Sequence, residues 1–512
     1  MIIILTLLKF SLIYSSKNSL GFYGNKGKFE NSGEITTTGE GSHAVVLQNT
    51  GSGTVTSATQ TLTFDNTGNI TANTEGTVGI YAESGSHFSH SGTGKKITAG
   101  KGAVGIYAIG AGTKGTVEAE IDVLGSKETA TKKYTGIGVY SDGNSETTFN
   151  TGAKLTLGEK TVGLFSSDAS KFENTFINLQ NLEASIKDGS VFAYFNKDEG
   201  TPTVTITNQT LGNLNVKKLG DKAAMFYGDK GTTVNINGSI DFTSFTVSTI
   251  NPTAQFLVSN NGNANIGASK TIKSNLKTTV SGLNEAKVKN AGTIEMSGTN
   301  ESVGIYLKGS EGTNEATGAI TADEEKSIGI YGVKNGTKTS KLENAGTIET
   351  KKKASVGMLG EEESTINNVS GGIINTDEKE SAGIYGSKGS TITNAGTISA
   401  KKTGSAGIYA SDSKVTNALG GVINTQEGKS AGVYAIFNKK VYDIDNSGTI
   451  NVGSTTSPVT ETKGVGIYAK LENNATATGN VTIDNKNTVA INIKDSIGIY
   501  AQNDTGDDNR II

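Results

Sequence analysis

The chain has no cysteine and no tryptophan, and its 512 residues include only three prolines, three histidines and one arginine, Arg510. Without cysteine it can form neither a disulfide framework nor a cysteine-based metal site. With one arginine it lacks the guanidinium groups that dominate recognition of bases and phosphates. Its formal net charge of −3 provides no basic surface for nucleic acid. We therefore expect no nucleic-acid partner.

A pentapeptide, x-Gly-Ile-Tyr-Ala/Gly, recurs along almost the whole chain, for example at residues 78–82 and 406–410. Copies centre on Gly21, Gly79, Gly105, Gly138, Gly163, Gly304, Gly329, Gly357, Gly383, Gly407, Gly432, Gly466 and Gly498. From Gly304 to Gly432 the intervals are 25, 28, 26, 24 and 25 residues. A fixed period in the range of about 20 to 50 residues predicts a solenoid rather than a fold with a single core.

A second motif, Asn-Ala-Gly-Thr-Ile, occurs at residues 290–294, 344–348 and 394–398, with a serine variant at 446–450. Its glycine keeps a constant distance from the first motif, since Gly346 and Gly396 each lie eleven residues before the glycine of the next pentapeptide. The two motifs therefore belong to one structural unit.

The apolar residues of each unit alternate, which indicates strands. At residues 405–410, Ala406, Ile408 and Ala410 share one face, and Gly407 and Tyr409 share the other. In the second motif, Ile348 must face inward if Glu349 faces water. No segment shows a sustained 3.6-residue period with caps, so we expect helices to be nearly absent.

These features predict an all-β parallel β-helix, a solenoid of about 18 coils. A leucine-rich repeat would need leucine at several fixed positions, and a propeller blade would need about 40 residues. We expect Ile, Val and Ala to stack inside, and Gly and Asn to form corners with left-handed backbone or amide ladders. Weaker copies of the repeat fit at Val45, Phe192, Ala224, Gln255 and Gly282.

The regularity of the repeat divides the chain. Residues 1–19 form an apolar leader or a degraded repeat, which the sequence at 11–15 resembles; residues 1–14 contain Lys9 and no cleavage site, and are too short for a membrane span. Residues 20–289 have uneven coils with protruding loops. Residues 290–501 are regular, and 502–512 form a polar tail.

Few residues suggest chemistry. His87 and His90 have only Glu83 as a further donor nearby, so we expect a polar loop and no metal site. His43 is isolated. Residues 428–430, Gly-Lys-Ser, lack the partner glycine of a phosphate-binding loop and predict an ordinary turn. The acidic pair at 377–378 and the run of three glutamates at 361–363 are expected to be solvated. We predict no catalytic, cofactor-binding or metal-binding residue, and no cofactor.

The tyrosine of the pentapeptide forms a column. It comprises Tyr81, Tyr107, Tyr140, Tyr306, Tyr331, Tyr385, Tyr409, Tyr434, Tyr468 and Tyr500, with Phe165 and Leu359 as substitutes. Facing outward, the column could stack on sugars or contact a protein; facing inward, it would be core. The candidate ligand-binding residues are Tyr306, Tyr331, Tyr385, Tyr409 and Tyr434.

The two phased motifs resemble the passenger repeats of very large autotransporters, the type V secreted surface proteins of anaerobic Gram-negative bacteria. The resemblance covers residues 20–501. It implies a right-handed β-helix at the cell surface, outside the outer membrane, and a non-enzymatic adhesin with a part in virulence that binds proteins or glycans on bacterial or host cells. The family's translocator barrel, its link to the outer membrane, is missing, so the chain resembles a passenger fragment.

Two alternatives remain. The chain could be a stalk that holds a distant adhesive tip, which the regular half favours. It could be a polysaccharide-degrading β-helix enzyme, but the strand faces carry Gly, Ile and Tyr in place of convergent polar groups. For an adhesin, we expect the binding loops in the irregular region of about residues 109–290.

Overall fold

The computed structural model describes residues 12–15, 18–49, 62–196, 202–212, 214–244, 253–453, 463–472 and 480–504. The chain forms two compact units, one of Met1–Ser239 with Phe245–Leu257, the other of Ile240–Ser244 with Val258–Ile512. Each is a right-handed parallel β-helix, as predicted, with three strands in a typical coil. The predicted division at residue 289 or 290 stays a prediction.

We name the three parallel sheets after one coil. The tyrosine sheet contains the pentapeptide, as in Ala406–Ser411. The asparagine sheet follows, as in Lys414–Asn417, and the third sheet completes the coil, as in Val422–Thr425. Among the described residues, eighteen strands belong to the tyrosine sheet, including Gln255–Asn260 at the boundary of the units, which agrees with the predicted number of coils.

The first unit contains eight strands of the tyrosine sheet. They are Leu20–Gly24, His43–Gln48, Val78–Glu83, Val104–Ala108, Ile137–Ser141, Val162–Ser166, Val191–Asn196 and Ala224–Asp229. Strands of the asparagine sheet are Lys28–Asn31, Thr63–Asn66, His87–His90, Lys114–Val117, Glu146–Phe149 and Phe176–Ile177, and Thr203–Ile206 pairs separately with Thr233–Ile236. Strands of the third sheet are Leu12–Ser15, Glu34–Thr37, Asn69–Ala72, Lys96–Ala99, Glu120–Gly125, Lys154–Glu159, Glu183–Ile186 and Asn215–Leu219.

The second unit repeats the same order. Its tyrosine strands are Thr278–Leu283, Val303–Lys308, Ile328–Val333, Val356–Gly360, Ala382–Ser387, Ala406–Ser411, Ala431–Phe437, Val465–Leu471 and Ile497–Asn503. Its asparagine strands are Asn263–Ile266, Lys287–Asn290, Glu311–Asn314, Lys341–Asn344, Thr365–Asn368, Thr391–Asn394, Lys414–Asn417, Ile444–Asn446 and Ile483–Asn485. The third sheet comprises Ile240–Asp241, Thr271–Ser274, Thr293–Met296, Ala319–Ala322, Thr347–Thr350, Ile373–Thr376, Thr397–Ala400, Val422–Thr425, Thr449–Val452 and Val489–Ile491. The boundary between the units falls within the strand Gln255–Asn260.

Helices are short. The α-helices are Phe172–Thr175 and Asn208–Leu211, and the 3₁₀ helices are Ala169–Lys171, Leu179–Asn181 and Phe242–Ser244. Within the described ranges, no helix is long and apolar enough to cross a membrane. The strands Lys127–Glu128 and Lys133–Tyr134 form a two-stranded antiparallel hairpin, which is not part of the three parallel sheets.

At the start of the sequence, the strand Leu12–Ser15 pairs with Glu34–Thr37 in the third sheet and is not part of the tyrosine sheet. The degraded repeat at residues 11–15 stays a prediction. The prediction of an apolar leader concerns mainly residues 1–11, which lie outside the described residues. The strand Ile497–Asn503 extends two residues into the segment predicted as a polar tail, and residues 505–512 again lie outside the described residues.

The strand register aligns residues of similar type in successive coils. Ile384 pairs with Ile408 and Ile408 with Val433, so the aliphatic residues form a column. All three are buried, as is Ile330 in an earlier coil, and Ile348 is fully buried while the carboxylate of Glu349 reaches the surface. The predicted inside and outside positions of these residues are confirmed.

The glycine of the pentapeptide corrects one assignment, because Gly407 does not share the outward face of Tyr409. A Cβ on Gly407 would lie 2.3 Å from Cγ2 of the buried Ile423 and 2.7 Å from the carbonyl oxygen of Gly432. Ala406, Gly407 and Ile408 are all buried, so the two-residue alternation breaks at the glycine. Close approach of the next coil's backbone leaves no room for a side chain there.

The predicted amide ladder exists in the second unit. Each asparagine Nδ2 donates to Oδ1 of the asparagine in the next coil, at 2.6 to 2.9 Å. The eight members are Asn290, Asn314, Asn344, Asn368, Asn394, Asn417, Asn446 and Asn485. The ladder satisfies polar groups in the interior, where an unpaired amide would cost about 1 to 3 kcal/mol.

The left-handed corners are not where the motif glycines are. In the second unit several lie in the turn before a tyrosine strand and are occupied by residues with a Cβ: Lys326, Ala354, Glu380 and Lys429 have φ of 57°, 56°, 58° and 55°. Gly404 occupies the equivalent place in only one of these coils, with φ of 74°. In the first unit glycine holds the same place in four turns, at Gly41, Gly76, Gly102 and Gly189. The expectation that glycine and asparagine supply the left-handed corners is therefore confirmed at those turns and wrong for the four turns of the second unit.

Candidate functional site

The tyrosine column faces outward. In the strand Ala406–Ser411, Ile408 and Ala410 are fully buried, whereas Tyr409 between them is partly exposed. The same order holds at Tyr385 and Tyr434. Each of these rings is half-buried and remains accessible to solvent.

The five candidate tyrosines do not form a single row. Tyr306 and Tyr331 pair at 5.4 Å between ring centroids, and Leu359 occupies the next position. A second row begins at Tyr385 and continues to Tyr500; its successive centroid distances are 4.9, 5.2, 4.6 and 5.5 Å, through Tyr409, Tyr434 and Tyr468. Whether any of these residues binds a ligand stays a prediction.

The first unit carries a more parallel stack that the candidate set omitted. It runs through His43, Tyr81, Tyr107, Tyr140, Phe165, Tyr194 and Tyr227, with centroid distances of 4.3 to 5.8 Å and interplanar angles of 1° to 22°. The repeated pentapeptide signals most of these members, but His43 does not follow the motif. It begins the strand His43–Gln48 and stacks on Tyr81.

Stacking changes what the column can bind. In a parallel stack each ring covers a face of its neighbour, so mainly ring edges and hydroxyls remain for a partner. A row that is interrupted leaves ring faces free at its ends. Tyr385 is such an end, because Leu359 precedes it and Tyr409 meets it at 75°.

The hydroxyls of Tyr331 and Tyr107 stay neutral over the physiological range. Burial, and to a lesser extent the carboxylate of Glu361, raise the pKa of Tyr331, whose hydroxyl donates to Glu361 Oε2 at 3.0 Å. Burial and the neighbouring Tyr140 raise the pKa of Tyr107 to about 12. The column therefore offers hydrogen-bond donors and no charge.

The two paired histidines lie in a strand, which corrects the expected polar loop. His87–His90 is a strand of the asparagine sheet, and His90 is fully buried. Its Nδ1 is 2.9 Å from Nδ2 of Asn66 and its Nε2 is 3.1 Å from the carbonyl oxygen of Glu120. Period-2 alternation with Phe88 was the signal available in the sequence. Burial lowers the pKa of His90 to about 4.

The remaining sequence candidates lie in turns. Lys429 has a left-handed backbone, and Ser430 is buried with its hydroxyl donating to the carbonyl oxygen of Lys402 at 3.1 Å, so the Gly-Lys-Ser triplet is a structural turn, as expected. Asp377 pairs with Lys401 at 2.7 Å on the surface. Over the described part of the chain, no group of three or more His, Cys, Asp or Glu side chains could hold a metal ion.

Two features interrupt the coils of the first unit within the region where loops were expected. The hairpin ending at Tyr134 is held by a 2.6 Å ion pair between Lys127 and Glu75. The second feature is the pair of short helices Phe172–Thr175 and Asn208–Leu211. Glu173 joins them, because its carboxylate accepts from the backbone N–H of Thr207 at 2.7 Å and from the hydroxyl of Thr210 at 2.6 Å. Both insertions are therefore fixed to the coils by charged hydrogen bonds.

The regular half also contains a feature that sequence reasoning missed. Residues 438–443 form a loop that, with neighbouring turns, encloses a cleft of about 610 Å³. This loop departs from the regularity expected of residues 290–501. The interval of 34 residues from Gly432 to Gly466 was the signal for it.

Residues 197–402 match a family model described as BigA third pectate lyase-like domain. Neither the curated proteins nor the solved structures include a match to this chain. The matched segment covers part of the chain and includes Tyr306, Tyr331 and Tyr385. It agrees with the β-helix described above.

Proposed function

We propose that the chain is a non-enzymatic, surface-exposed passenger fragment that acts in adhesion between bacteria or between a bacterium and a host cell. The observation that carries this proposal is the hairpin that projects from a rigid stack of coils in the first unit. A surface adhesin passenger is a role that fits the match to the BigA domain. The partner would be a protein or a glycan on the opposing cell, and the chain would act at the cell surface or outer membrane.

The hairpin is exposed at its turn and is packed against the coils at its base. Residues 128–133 are exposed, and the turn is closed by a 2.8 Å hydrogen bond from the N–H of Thr129 to the carbonyl oxygen of Lys132. Tyr134 packs at its base against Gly102, where an added Cβ would lie 2.6 Å from Cβ of Tyr134. A protruding loop on a rigid scaffold is the usual arrangement for recognition.

The test compares cell binding by the full chain with that of two matched variants. Glu128→Ala/Lys132→Ala removes one acid and one base from the hairpin, and Lys379→Ala/Glu380→Ala removes the same charges from a turn in the second unit. We expect the hairpin variant to bind bacterial or epithelial cells about tenfold more weakly, a loss near 1.4 kcal/mol. The control should bind like the wild type. Equal binding by all three proteins would exclude the hairpin as the adhesive surface, and no binding by the wild-type chain would contradict adhesion.

A stalk is the second candidate, and the amide ladder of the second unit favours it. Asparagines of eight successive coils are joined by seven hydrogen bonds, six of them buried, which suits a segment that bears load. A stalk without adhesive function would leave the purified chain unable to bind any cell, whereas an adhesin would bind.

The absence of catalysis is also a proposal. The description of the matched family includes the words pectate lyase-like, and an enzyme of that kind would need convergent ionisable groups on a strand face. In the tyrosine sheet the outward positions hold aromatic rings instead. Incubation of the chain with polygalacturonate should release no unsaturated product; measurable release would contradict the proposal.

A further inference from the structure

The cleft in the second unit lies beside the start of the second tyrosine row. Tyr385 lines one side, and the loop of residues 438–443 brings Lys439, Lys440 and Tyr442 to the other. Its volume of about 610 Å³ lies within the range of about 300 to 1,000 Å³ that is usual for ligand sites.

The loop is held in place by one side chain. Oδ1 of Asp412 accepts hydrogen bonds from the backbone N–H groups of Asn438 at 2.6 Å, Lys439 at 2.9 Å and Lys440 at 3.3 Å. Asp412 itself has a left-handed backbone. Because three donors converge on one carboxylate, the wall of the cleft is fixed before any ligand arrives.

The carboxylates at the cleft are already engaged. Glu361 accepts from the hydroxyl of Tyr331 at 3.0 Å, and Glu363 pairs with Lys334 at 2.5 Å. Asp412 is occupied by the three backbone donors.

The two lysines of the loop differ from these groups. Within the residues that the structure describes, neither Lys439 nor Lys440 has a carboxylate within 4.0 Å. Neither ammonium group has a short ion pair with a described residue, although the charge of Lys440 acts on the carboxylate of Glu363 across the cleft. Both are therefore available to a ligand with a negative charge.

Two aromatic side chains also line the cleft. Nζ of Lys440 lies 5.0 Å from the ring centroid of Tyr442, which orients that ring and the ammonium group together. Tyr385 stands at the free end of its row. Hydroxyls of Ser387 and Ser411 complete the lining. Aromatic faces, hydroxyls and cations in one open cleft suit a sugar better than an extended acidic peptide, which would not use the rings.

We propose that this cleft binds an acidic saccharide, with its carboxylate or sulfate ester near Lys439 and Lys440 and its ring against Tyr385 or Tyr442. The inference deepens the adhesive function proposed above and rests on it, since it names the class of ligand. It adds a binding site in the second unit to the hairpin of the first.

The test measures binding of small saccharides to the full 512-residue chain by calorimetry. The probes are sialyllactose, which carries a carboxylate, lactose sulfate, which carries a sulfate ester, and neutral lactose. We expect at least one acidic probe to bind about tenfold more tightly than lactose, a difference near 1.4 kcal/mol. The stronger of the two acidic probes identifies the anion.

Variants place the binding in the cleft. Lys439→Gln/Lys440→Gln and, separately, Tyr442→Ala should each weaken binding of the acidic probe by about tenfold. Lys379→Gln is the matched control, because Lys379 is an exposed lysine in the turn that precedes the strand Ala382–Ser387. It should leave the affinity unchanged, and near-identical circular dichroism spectra will show that all variants are folded.

Several results would overturn the proposal: no binding of any probe, equal binding of lactose, an equal loss in Lys379→Gln, or tighter lysine-dependent binding of a glutamate pentapeptide. The cell-binding assay separates this proposal from adhesion. Cell binding without saccharide binding would overturn the cleft alone. Saccharide binding without cell binding would overturn adhesion alone.

Discussion

His90 occupies a position that asparagine fills in the two preceding coils. Nδ2 of Asn31 donates to Oδ1 of Asn66 at 2.7 Å, and Nδ2 of Asn66 in turn reaches Nδ1 of His90. Nδ1 must then accept and Nε2 must donate to the carbonyl oxygen of Glu120, so the buried ring is neutral with its proton on Nε2. A protonated ring would present a donor to the amide donor of Asn66.

This arrangement predicts acid sensitivity at one residue. The pKa of His90 falls from its usual 6.5 to about 4 in the folded chain. The unfolded chain therefore binds the proton first, and stability is complete above pH 6.5 and declines as the pH falls toward 4, by up to about 3 kcal/mol. In His90→Asn, which continues the asparagine series, this part of the decline should disappear.

Denaturant titrations at pH 7.5 and 4.5 will measure the difference in free energy of unfolding. His87→Asn, at a half-buried position of the same strand, is the control and should keep most of the decline. An unchanged pH dependence in His90→Asn would contradict the assigned tautomer.

The interior column predicts a strong contrast between two substitutions. Ile408→Asp places a carboxylate at a fully buried position and should cost about 3 kcal/mol or more in free energy of unfolding. Glu349→Lys changes a surface residue whose ion pair with Lys351 spans 3.8 Å, and it should change stability by less than about 0.5 kcal/mol. Equal shifts of the denaturant midpoint would show that the two faces are wrongly assigned.

At the scale of the strands, side chains at neighbouring positions of the tyrosine sheet and the asparagine sheet fill one fixed volume of the interior. Gly386 follows Tyr385, and a Cβ there would lie 2.7 Å from Cδ1 of Ile392 in the next strand. In the following coil the same two positions hold Ala410 and Val415. In these two coils the smaller residue in the tyrosine sheet is thus matched by the larger one in the asparagine sheet.

Exchange of one pair for the other tests this matching. Gly386→Ala should destabilise by about 1 to 3 kcal/mol through overpacking, and Ile392→Val by about 0.5 to 1.5 kcal/mol through a cavity. The double variant copies the next coil and should lose less than the sum, with a coupling of about 1 kcal/mol or more. Thermal or denaturant unfolding of all four proteins gives the coupling; strictly additive losses would contradict the shared volume.

The amide ladder has a direction, and its members are not equivalent. Every Nδ2 donates to the next coil, so the first member, Asn290, has an Oδ1 that no described residue contacts as a donor. Asn368→Leu breaks two ladder bonds and a 3.3 Å bond to the carbonyl oxygen of Gly372, and it leaves Asn344 and Asn394 each with an unmatched group. Asn290→Leu breaks one ladder bond and a 3.2 Å bond to the carbonyl oxygen of Ala319, and it removes a group that was already unmatched.

We therefore expect Asn368→Leu to destabilise the chain by about 1 to 3 kcal/mol more than Asn290→Leu. Both residues are fully buried, so neither substitution changes the exposed surface of the folded chain. Denaturant unfolding at neutral pH compares them. Equal losses would mean that the ladder contributes through packing and not through its hydrogen bonds.

Much of this element structure was accessible from the sequence. The pentapeptide repeat identified the coils, and alternation placed Ile408 and Ile348 inside, because a strand repeats its environment every second residue. The inward direction of Gly407 was not accessible, since it depends on the carbonyl of Gly432 in the next coil. The cleft was missed for a similar reason: Asp412 organises residues 438–440, which are distant in sequence.

At the scale of the whole molecule, tyrosines of the column report on folding. Partial burial raises the pKa of several of them, including Tyr306, Tyr385 and Tyr409, and brings that of Tyr107 to about 12. The folded chain thus favours the neutral phenol. Its stability is complete below pH 10 and declines as the pH rises through these values.

A spectrophotometric titration of tyrosinate absorbance should therefore have a higher midpoint in the native chain than in guanidinium chloride. The unfolded midpoint should lie near the usual pKa of about 10. Lysine does not contribute to this absorbance. Coincident midpoints in the two solvents would contradict the half-buried, stacked column.

The equal register of neighbouring coils has an evolutionary consequence. Ala382 pairs with Ala406, and Thr391 pairs with Lys414. The strands of the next coil pair in the same register. A duplication or deletion of one complete repeat in the gene would therefore join strands that already match. Each such event would lengthen or shorten the stack by about 4.8 Å. Related strains could thus differ in how far these coils extend while keeping the same fold.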